Sequence, residues 1–451
     1  MTKYTSIFIH ILVKIAVIGM YITFKIFIMS NKFLIIAILW SALLLGGCSS
    51  HQKEVSSLYV LDFTKAYNSI EEAMLSDYVS SIRYVPLETS DSVLIRSTSA
   101  HNSEITENYI FVPSGDFQST IYIFNNEGRY LRNIGRKGRG PGEYLGVASI
   151  RYFPESNTIL VRGGSKSVFY SLSDGAYVKQ VDVNDFFDRS YDVVQHYKGM
   201  TNLLQNISSG GSIFHNDSLY VIAANNTTFD QYFLILDSDL NLKCNLNMGK
   251  TTLQMGMPDI RLGGLYLNNN TIYGVSGLAD TIYKYSNNKL TPHIAFNYGE
   301  HYSYSTHPIR DYNFFRKKGY SNLTAEMSAA FNIFELNNGI IGWINLPKSV
   351  AISKNLEPNS KFVFNKQSRK IKIIKYSKSA ECSAFTNDID GGMPFWPSKQ
   401  IGNKLYQFVD AVTFIEMSQK YNSPRMKEIA STITDESNPV LIEATLKNSL
   451  D

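Results

Sequence analysis

The sequence predicts an all-β fold, a six-bladed β-propeller with a short helical segment and a closing strand near its C-terminus. Short runs rich in β-branched and aromatic residues fill most of the chain, and clusters of Asn, Asp, Gly and Ser separate them. These runs recur as a unit at intervals typical of propeller blades. No long amphipathic helical pattern appears before about residue 411.

The recurring unit is a strand joined through an Asx-rich turn to a second strand, the expected outer hairpin of a blade. Four copies, IYIFNNEGRYLRNIG, VFYSLSDGAYVKQV, YFLILDSDLNLKCNL and TIYKYSNNKLTPHIAF, start near residues 121, 168, 232 and 281, about 47, 64 and 49 residues apart. The clearest predicted strands are Tyr109–Val112, Thr120–Phe124, Thr158–Val161, Ser218–Ala223, Tyr232–Leu236, Thr271–Val275, Thr281–Tyr285 and Lys370–Tyr376.

The length of the stranded region favours six blades over a sandwich of two sheets. Residues 81 to about 408 hold 328 positions, or about 55 for each of six blades. A sandwich of evenly spaced short strands is normally much smaller. A ring of blades also protects the strand edges that an all-β chain must hide.

The C-terminal stretch departs from the strand pattern. Ala411–Tyr421 and Pro424–Ile433 are predicted as short helices, with Ser423 as N-cap of the second. Val440–Leu446 then alternates between apolar and polar residues as a strand does. We expect this strand to pair with a strand from the N-terminal side and so close the ring.

The segment that starts at Met29 has the layout of a bacterial lipoprotein leader. Lys32 precedes the apolar stretch Phe33–Leu45, which is short for a membrane span, and two glycines then precede Cys48. Leu-Gly-Gly-Cys resembles the lipobox, in which the cysteine is acylated and becomes the new N-terminus. The sequence therefore predicts lipidation of Cys48 and a membrane tether through that lipid.

The predicted organisation has four parts. Residues 1–28 are interpreted as a misassigned upstream extension, with translation starting at Met29; a tandem anchor in the inner membrane is the alternative. Residues 29–47 form the signal peptide, residues 48–80 the tether and an N-terminal strand region, and residues 81–447 the propeller, which includes a helical insert at about 411–433.

Localisation and charge both follow from this leader. Ser49 follows the cysteine, and the absence of aspartate there favours the outer membrane of the cell envelope, with the periplasmic or surface face left open. Residues 1–47 contain four lysines and no acid, so their removal takes the formal net charge from +4 to 0. A neutral domain lacks the basic surface that nucleic-acid binding requires, so no nucleic-acid partner is expected.

Five motifs resemble the six-bladed β-propeller lipoproteins of Bacteroidetes, a family related to NHL-type propellers and largely of unknown function. The motifs are RNIGRKGRGPGEY at Arg132–Tyr144, YVPLET at Tyr84–Thr89, NDIDGG at Asn387–Gly392, PFWP at Pro394–Pro397 and NPVL at Asn438–Leu441. The resemblance implies a propeller in the envelope, and it supplies no catalytic residues.

The glycine-rich basic loop Gly135–Tyr144 permits two interpretations. Such a loop can hold phosphate, but the P-loop needs a GKS or GKT ending before a helix, and a predicted strand follows here. Glycines are also what a tight crossing between blades demands, where φ is positive and backbone passes close to backbone. The crossing is the favoured interpretation.

Candidate ligand-binding residues fall in two regions. An aromatic insert between blades is expected to lie on a propeller face, where exposed rings bind sugars and peptides; its candidates are Tyr302, Tyr304, Arg310, Tyr312 and Phe314. The second region supplies Asp388, Asp390 and Trp396. On a strand the two carboxylates would share one side, but an Asx turn that bonds its own backbone is the favoured interpretation.

Metal and cofactor chemistry finds little support. His301 and His307 lie six residues apart on the aromatic insert, but no metal-binding spacing appears, and no metal or cofactor is predicted. Cys244 and Cys382 would remain after lipidation of Cys48, and we expect them to be buried singly.

The predicted function is a tethered propeller that binds or scaffolds a glycan, a peptide or an envelope protein, with an accessory role in nutrient uptake as a further hypothesis. The alternative is an extracytoplasmic hydrolase or lyase with its site in the central funnel. The sequence contains no GxSxG elbow, no Ser-His-Asp order and no dinucleotide fingerprint, which favours binding and leaves the enzyme alternative open.

Overall fold

The structure is a computed structural model of the 451-residue chain. It describes residues 20, 58–95, 103–114, 120–147, 149–163, 166–182, 212–216, 218–224, 230–237, 241–250, 264–268, 271–275, 281–299, 328–377 and 382–448. Cys48 and the ligand-binding candidates of the aromatic insert lie outside these residues, as do His301 and His307.

The fold is a six-bladed β-propeller, as the sequence predicted, and each blade has four antiparallel strands. Three strands precede the first blade: β1 (Tyr59–Asp62), β2 (Ile70–Glu71) and β3 (Val79–Pro86). Blade 1 comprises β4 (Glu104–Ile105), β5 (Tyr109–Ser114), β6 (Thr120–Asn125) and β7 (Tyr130–Ile134). Blade 2 comprises β8 (Ser149–Phe153), β9 (Thr158–Gly163), β10 (Lys166–Ser171) and β11 (Tyr177–Asp182). Blade 3 comprises β12 (Ser212–His215), β13 (Ser218–Ala224), β14 (Asp230–Asp237) and β15 (Leu242–Lys250).

The second half of the ring repeats this plan. Blade 4 comprises β16 (Gly264–Asn268), β17 (Thr271–Val275), β18 (Thr281–Ser286) and β19 (Lys289–Asn297). Blade 5 comprises β20 (Ala329–Glu335), β21 (Gly339–Asn345), β22 (Asn359–Asn365) and β23 (Lys370–Ile374). Blade 6 comprises β24 (Lys399–Ile401), β25 (Lys404–Val409), β26 (Val440–Leu446) and the N-terminal β3. First strands of neighbouring blades, such as β4 and β8, lie against each other and so form the inner wall.

Ring closure takes the predicted form. The C-terminal β26 pairs antiparallel with β3, and Ile442 lies opposite Tyr84. Blade 6 therefore takes three strands from the end of the chain and its outermost strand from the beginning. The pairing joins the two ends of the domain and removes the free edges that an open ring would expose.

The outer hairpins also match the prediction. The four recurring units form β6–β7, β10–β11, β14–β15 and β18–β19, the last two strands of blades 1 to 4. In blade 4 the turn residues Asn287 and Asn288 have φ of 51° and 57°, the left-handed values that a two-residue hairpin turn needs. The predicted strand Lys370–Tyr376 ends two residues early, at Ile374.

The chain before β3 also belongs to the sheets. Strand β1 pairs parallel with β19 as a fifth strand of blade 4, and β2 pairs parallel with β23 as a fifth strand of blade 5. Residues 58–86 therefore follow the outer edges of blades 4, 5 and 6 in turn. Leu61 and Phe63 on this segment are fully buried, so it is part of the core between blades 4 and 5.

Helices are few and short in the described part of the chain: α1 (Phe63–Ala66), α2 (Lys348–Lys354), α3 (Ala411–Lys420) and α4 (Pro424–Ala430). Ser423 caps α4 as predicted, because its hydroxyl accepts from the amide of Met426. None of the helices among the described residues is long and apolar enough to cross a membrane.

The glycine-rich loop is a crossing from blade 1 to blade 2. Gly135 has a φ of 65°, and a Cβ there would lie 2.5 Å from the ring of Tyr144. The buried Tyr144 donates to the carbonyl of Ile134, and Glu143 forms an ion pair with Arg136 at 2.7 Å. The glycines are needed here for backbone conformation and for close packing.

Candidate ligand-binding site between blades 5 and 6

Three side chains form a row on the face of blade 5 that meets blade 6. Lys361 on β22 lies directly opposite Trp343 on β21, and Trp343 lies opposite Phe331 on β20. The rings of Phe331 and Trp343 stack with centroids 6.2 Å apart and planes inclined by 17°. Both residues are partly exposed, and Phe331 and Lys361 lie on opposite sides of Trp343.

The segment that leads into blade 6 supplies a second tryptophan. The ring of Trp396 stands nearly perpendicular to that of Trp343, with centroids 6.4 Å apart. Lys361 lies between them, and its Nζ is 4.6 Å from the centroid of Trp343 and 5.1 Å from that of Trp396. The ammonium therefore has an aromatic ring on two sides.

Trp396 is held firmly in this position. Phe385 stacks on the Trp396 ring with centroids 5.3 Å apart. The backbone N–H of Trp396 donates to the side-chain oxygen of Gln407 at 3.1 Å. Phe385 and the adjacent Phe395 exchange two backbone hydrogen bonds and are fully buried. The PFWP motif is thus held in place by packing and hydrogen bonds.

Two hydrogen-bond donors in this site have no acceptor. Lys361 is 8% exposed, and within the described residues it forms no ion pair and no hydrogen bond, but its Nζ is not among the buried atoms that lack a partner and therefore still reaches solvent. Trp396 is 6% exposed, and its indole N–H has no partner. Buried donors are nearly always satisfied in folded proteins, so the unpartnered indole N–H of Trp396 beside the Lys361 amine makes this place a candidate binding site.

The charge of Lys361 is costly to the fold. Burial lowers the pKa of its amine to about 8, although the thiol of Cys382 and the carboxylate of Glu357 act to raise it. A depression of this size, from 10.5, corresponds to about 3 kcal/mol of destabilisation of the ammonium. The two cation–π contacts, worth about 0.5–2 kcal/mol each, do not remove this cost.

Cys382 borders the site as a neutral group. Its thiol is half-buried and forms no disulfide, as is also true of Cys244. Burial raises the pKa of the Cys382 thiol, more than Lys361 lowers it. The thiol is therefore protonated at neutral pH and supplies no counter-ion to the ammonium.

The acidic side chains on the described inner strands form ion pairs. Glu104 in blade 1 lies 2.8 Å from the amine of Lys399 in blade 6 and 3.4 Å from the guanidinium of Arg151 in blade 2. Burial alone would raise the pKa of Glu104, but Lys399 and Arg151 lower it below the usual value. This carboxylate joins the first strands of three blades.

Glu335 at the end of β20 is held in a similar way. It accepts from His293 at 3.0 Å, from Tyr266 at 3.1 Å and from Lys366 at 2.8 Å. Burial would raise the pKa of Glu335, but His293 and Lys366 lower it to about 2. Glu104 and Glu335 are both ionised at neutral pH and cannot act there as general acids. Among the described residues, no cluster of three His, Cys, Asp or Glu side chains could hold a metal.

Residues 58–445 match the model of a family described as "Domain of unknown function (DUF4934)". The chain belongs to this family. The DUF4934 match begins where β1 begins and ends within β26, so it covers the complete ring and its N-terminal strands. No curated protein matches the chain.

Two solved structures similar to this DUF4934 chain come from Bacteroides. One, named "Putative exported protein" and from Bacteroides fragilis, shares 15% identity with a TM-score of 0.57 and covers 87% of this chain and 100% of its own. A member of the DUF4221 family from Bacteroides vulgatus shares 14% identity with a TM-score of 0.43 and covers 82% of this chain and 97% of its own. At such identities the first likeness shows the fold alone.

Asp388 and Asp390, which the sequence singled out, take part in contacts that hold the DUF4934 domain together. Asp388 accepts from the backbone and the hydroxyl of Ser76, on the N-terminal segment. Asp390 accepts from Tyr84 at 3.1 Å and from Ser423 at 2.6 Å, and it also closes its own turn. The structure thus accounts for both carboxylates through contacts within the fold, and a ligand role for them stays a prediction.

Trp396 is the one sequence-predicted candidate that lies in the site. Tyr302, Tyr304, Arg310, Tyr312 and Phe314 lie outside the described residues, as does Cys48. Sequence reasoning missed Lys361 and Trp343. The sequence did contain a signal for Lys361. It stands two residues before the buried Val363 in the run SKFVFN, so on a strand the two side chains share the buried side.

Proposed function

We propose that this protein is a lipoprotein tethered to the outer membrane that acts as a binding propeller, with its ligand site at Lys361, Trp343 and Trp396. The observation that carries the proposal is a lysine amine between two tryptophan rings, beside a buried indole N–H, with no acceptor for either among the described residues. Aromatic surfaces with a few aligned polar groups are typical of small-molecule sites. The ligand class is a glycan or a peptide, and an accessory role in nutrient uptake is consistent with both.

The tether rests on the leader and on the relatives. The lipobox at Cys48 predicts acylation, and a similar structure from Bacteroides fragilis carries the name of an exported protein. Residues 58–86 connect this tether to the outside of blades 4 to 6.

The binding function is favoured over hydrolysis or lysis by the state of the inner acids. Glu104 and Glu335 lie on the described inner strands and form ion pairs there, and both carboxyl groups have lowered pKa values. A general acid needs a pKa near the working pH, which requires the opposite shift. Lys361, in contrast, has a shifted pKa at an open aromatic surface.

The test of binding uses the full-length protein in detergent, screened against glycan and peptide libraries. Trp343→Ala should lower the affinity for the ligand by at least about tenfold, because aromatic contacts at binding centres are worth more than 1.4 kcal/mol. Lys179→Met is the matched control, since Lys179 lies 4.8 Å from the Phe169 ring in blade 2, away from the site. If all ligands bind Trp343→Ala as tightly as wild type, the proposed site is wrong.

The tether has its own test. Cells that express the protein are fed an alkyne-bearing fatty acid, and the purified protein is assayed for label. We expect label on wild type and none on Cys48→Ser, with the variant released from the outer-membrane fraction. A labelled Cys48→Ser protein would contradict lipidation at this residue.

A further inference from the structure

We propose that blade 2 contains a second binding site, in which Arg162 and Ser167 hold an oxyanion, the carboxylate, phosphate or sulfate group of a ligand. The structural basis is one juxtaposition. Two guanidinium nitrogens and a hydroxyl, all buried and all without a partner, belong to directly opposed residues of neighbouring strands. This site lies in a different blade from Lys361 and goes beyond the proposed function.

The register of blade 2 places the two side chains next to each other. Arg162, near the end of β9, lies opposite Ser149 on β8 and opposite Ser167 on β10. Val161 and Val168 occupy the other side of the sheet, in the core shared with blade 1. Since successive side chains alternate along a strand, Arg162 and Ser167 face blade 3. Directly opposed residues have Cβ atoms about 5 Å apart, so one oxyanion can reach both side chains.

The hydrogen-bond donors of this pair are unused. Arg162 is 5% exposed, and its Nε and Nη1 are buried without a hydrogen-bond partner. The Ser167 hydroxyl is also buried and unpartnered. Nη2 of Arg162 is not among these buried atoms and makes no hydrogen bond within the described part of the chain, so it reaches solvent. Because each two-donor edge of a guanidinium contains Nη2, an oxyanion that arrives there from solvent also meets Nε or Nη1.

The described strands of this interface bring no acid to the guanidinium. Strands β8, β9 and β10 of blade 2 contain no Asp or Glu, and neither do the inner strands β12 and β13 of blade 3. The undescribed residues beside these strand ends in blade 2 are Ala148, Gly164 and Ser165, which carry no acidic group.

The charge of Arg162 is therefore left to a ligand. Glu104, which reaches blade 2 at the inner wall, already pairs with Arg151 and Lys399. Burial lowers the pKa of the Arg162 guanidinium to about 10, and no charged group contributes to this shift. The guanidinium stays charged at neutral pH, and a bound oxyanion would neutralise it.

The glycine-rich loop Gly135–Tyr144 adds positive charge at the same end of blade 2. Lys166 at the start of β10 donates to the carbonyl of Arg139 at 3.0 Å, and a Cβ on Gly163 at the end of β9 would overlap the carbonyl of Gly146. The crossing from blade 1 therefore packs against the strand ends that carry the two unpartnered side chains. The loop contains three cations and one acid, and such an excess of positive charge attracts anions.

The experiment measures anion binding to the full-length protein in detergent by calorimetry and by thermal unfolding. The probes are inorganic phosphate, sulfate and acetate, each at an ionic strength matched with sodium chloride. Because sulfate and phosphate stabilise most proteins without binding at a site, the readout is the difference between wild type and Arg162→Met. We expect at least one probe to bind wild type saturably and to raise its Tm more than that of the variant. The probe that binds most tightly identifies the oxyanion.

Variants then assign the binding to the two side chains. Arg162→Met should weaken binding of that probe by at least about tenfold and Ser167→Ala by about three- to tenfold, because each removes hydrogen bonds to a charged ligand. Arg129→Met is the matched control, since Arg129 is exposed in blade 1, and it should bind the probe as wild type does. Without anion, Arg162→Met should unfold at the same temperature as wild type or at a higher one, because it removes an unpaired buried charge.

Three results would overturn the inference. In the first, no probe binds wild type; in the second, Arg162→Met binds the probe as tightly as wild type does. In the third, Arg162→Met unfolds at a clearly lower temperature than wild type without anion, which would mean that an acid elsewhere in the chain already pairs with the guanidinium. None of these results affects the proposed function, which Trp343→Ala tests with glycans and peptides at the other site.

Discussion

The replacement of Lys361 by methionine should make the protein more stable at neutral pH. The pKa of this amine is about 8 in the folded protein, against 10.5 as its ordinary value. Each unit of difference corresponds to 1.36 kcal/mol, so the buried ammonium costs about 3 kcal/mol when fully charged. Methionine has a similar length and no charge, and it keeps the apolar contact with both tryptophans. The expected gain is therefore up to about 3 kcal/mol in the free energy of unfolding.

The sign of the pH dependence follows from the same shift. Because the folded pKa lies below the unfolded one, the unfolded chain binds more protons between pH 8 and about 10.5. The cost is fully present below pH 8 and disappears as the pH rises through this window. The advantage of Lys361→Met over wild type should accordingly be largest at pH 7 and small at pH 10.5.

Urea unfolding of both proteins at half-unit steps from pH 6.5 to 10.5 measures this difference. Because the Cys382 thiol acts on the pKa of Lys361 and itself has a pKa that burial raises, the series is repeated in a Cys382→Ala background. If Lys361→Met is less stable than wild type at pH 7, or if the difference does not change with pH, Lys361 is not an uncompensated buried cation. Such a result would contradict the proposed binding site at Lys361.

Three further substitutions test the fold around the site. Glu335→Gln should lower the free energy of unfolding by about 3–5 kcal/mol at pH 7, since it removes the charge that balances the partly buried Lys366. The stability of the wild type should fall as the pH drops from about 4.5 to 2, because the pKa of Glu335 is lowered in the folded protein. This fall should be much smaller in the variant. Phe63→Ala should cost about 3–5 kcal/mol in urea unfolding because the ring is fully buried, whereas Val60→Ala, at a side chain 49% exposed, should change stability by less than about 0.5 kcal/mol. Asp390→Ala should lower the free energy of unfolding by about 2 kcal/mol or more, because it leaves two hydroxyls without their acceptor, and the exposed Asp388→Ala should cost no more than about 1 kcal/mol. Equal effects of the two aspartate substitutions would contradict the distinction drawn from their burial.

The ring and its closure were predictable because their signals are local. Each outer hairpin carries an Asx-rich turn between two strand-like runs, and Val440–Leu446 is apolar and β-branched enough to be recognised as a strand without its partner. The parallel pairing of β1 and β2 was not predictable in the same way. These strands are four and two residues long, and no turn connects them to the strands that they join.

The candidate site was only partly predictable because its residues come from distant parts of the chain. Trp396 stood out through the PFWP motif, but its neighbours Lys361 and Trp343 belong to ordinary strand patterns in the preceding blade. Asp388 and Asp390 showed the reverse problem, since a conspicuous motif serves contacts within the fold. Only the packing of blade 5 against blade 6 distinguishes these cases.

The most direct measurement is a crystal structure of the protein with a bound oligosaccharide from the library screen. We expect a ligand oxygen within hydrogen-bond distance of the Lys361 amine and further ligand atoms in contact with Trp343 or Trp396. A ligand bound on another surface, with Lys361 still unpaired between the two tryptophans, would contradict the account.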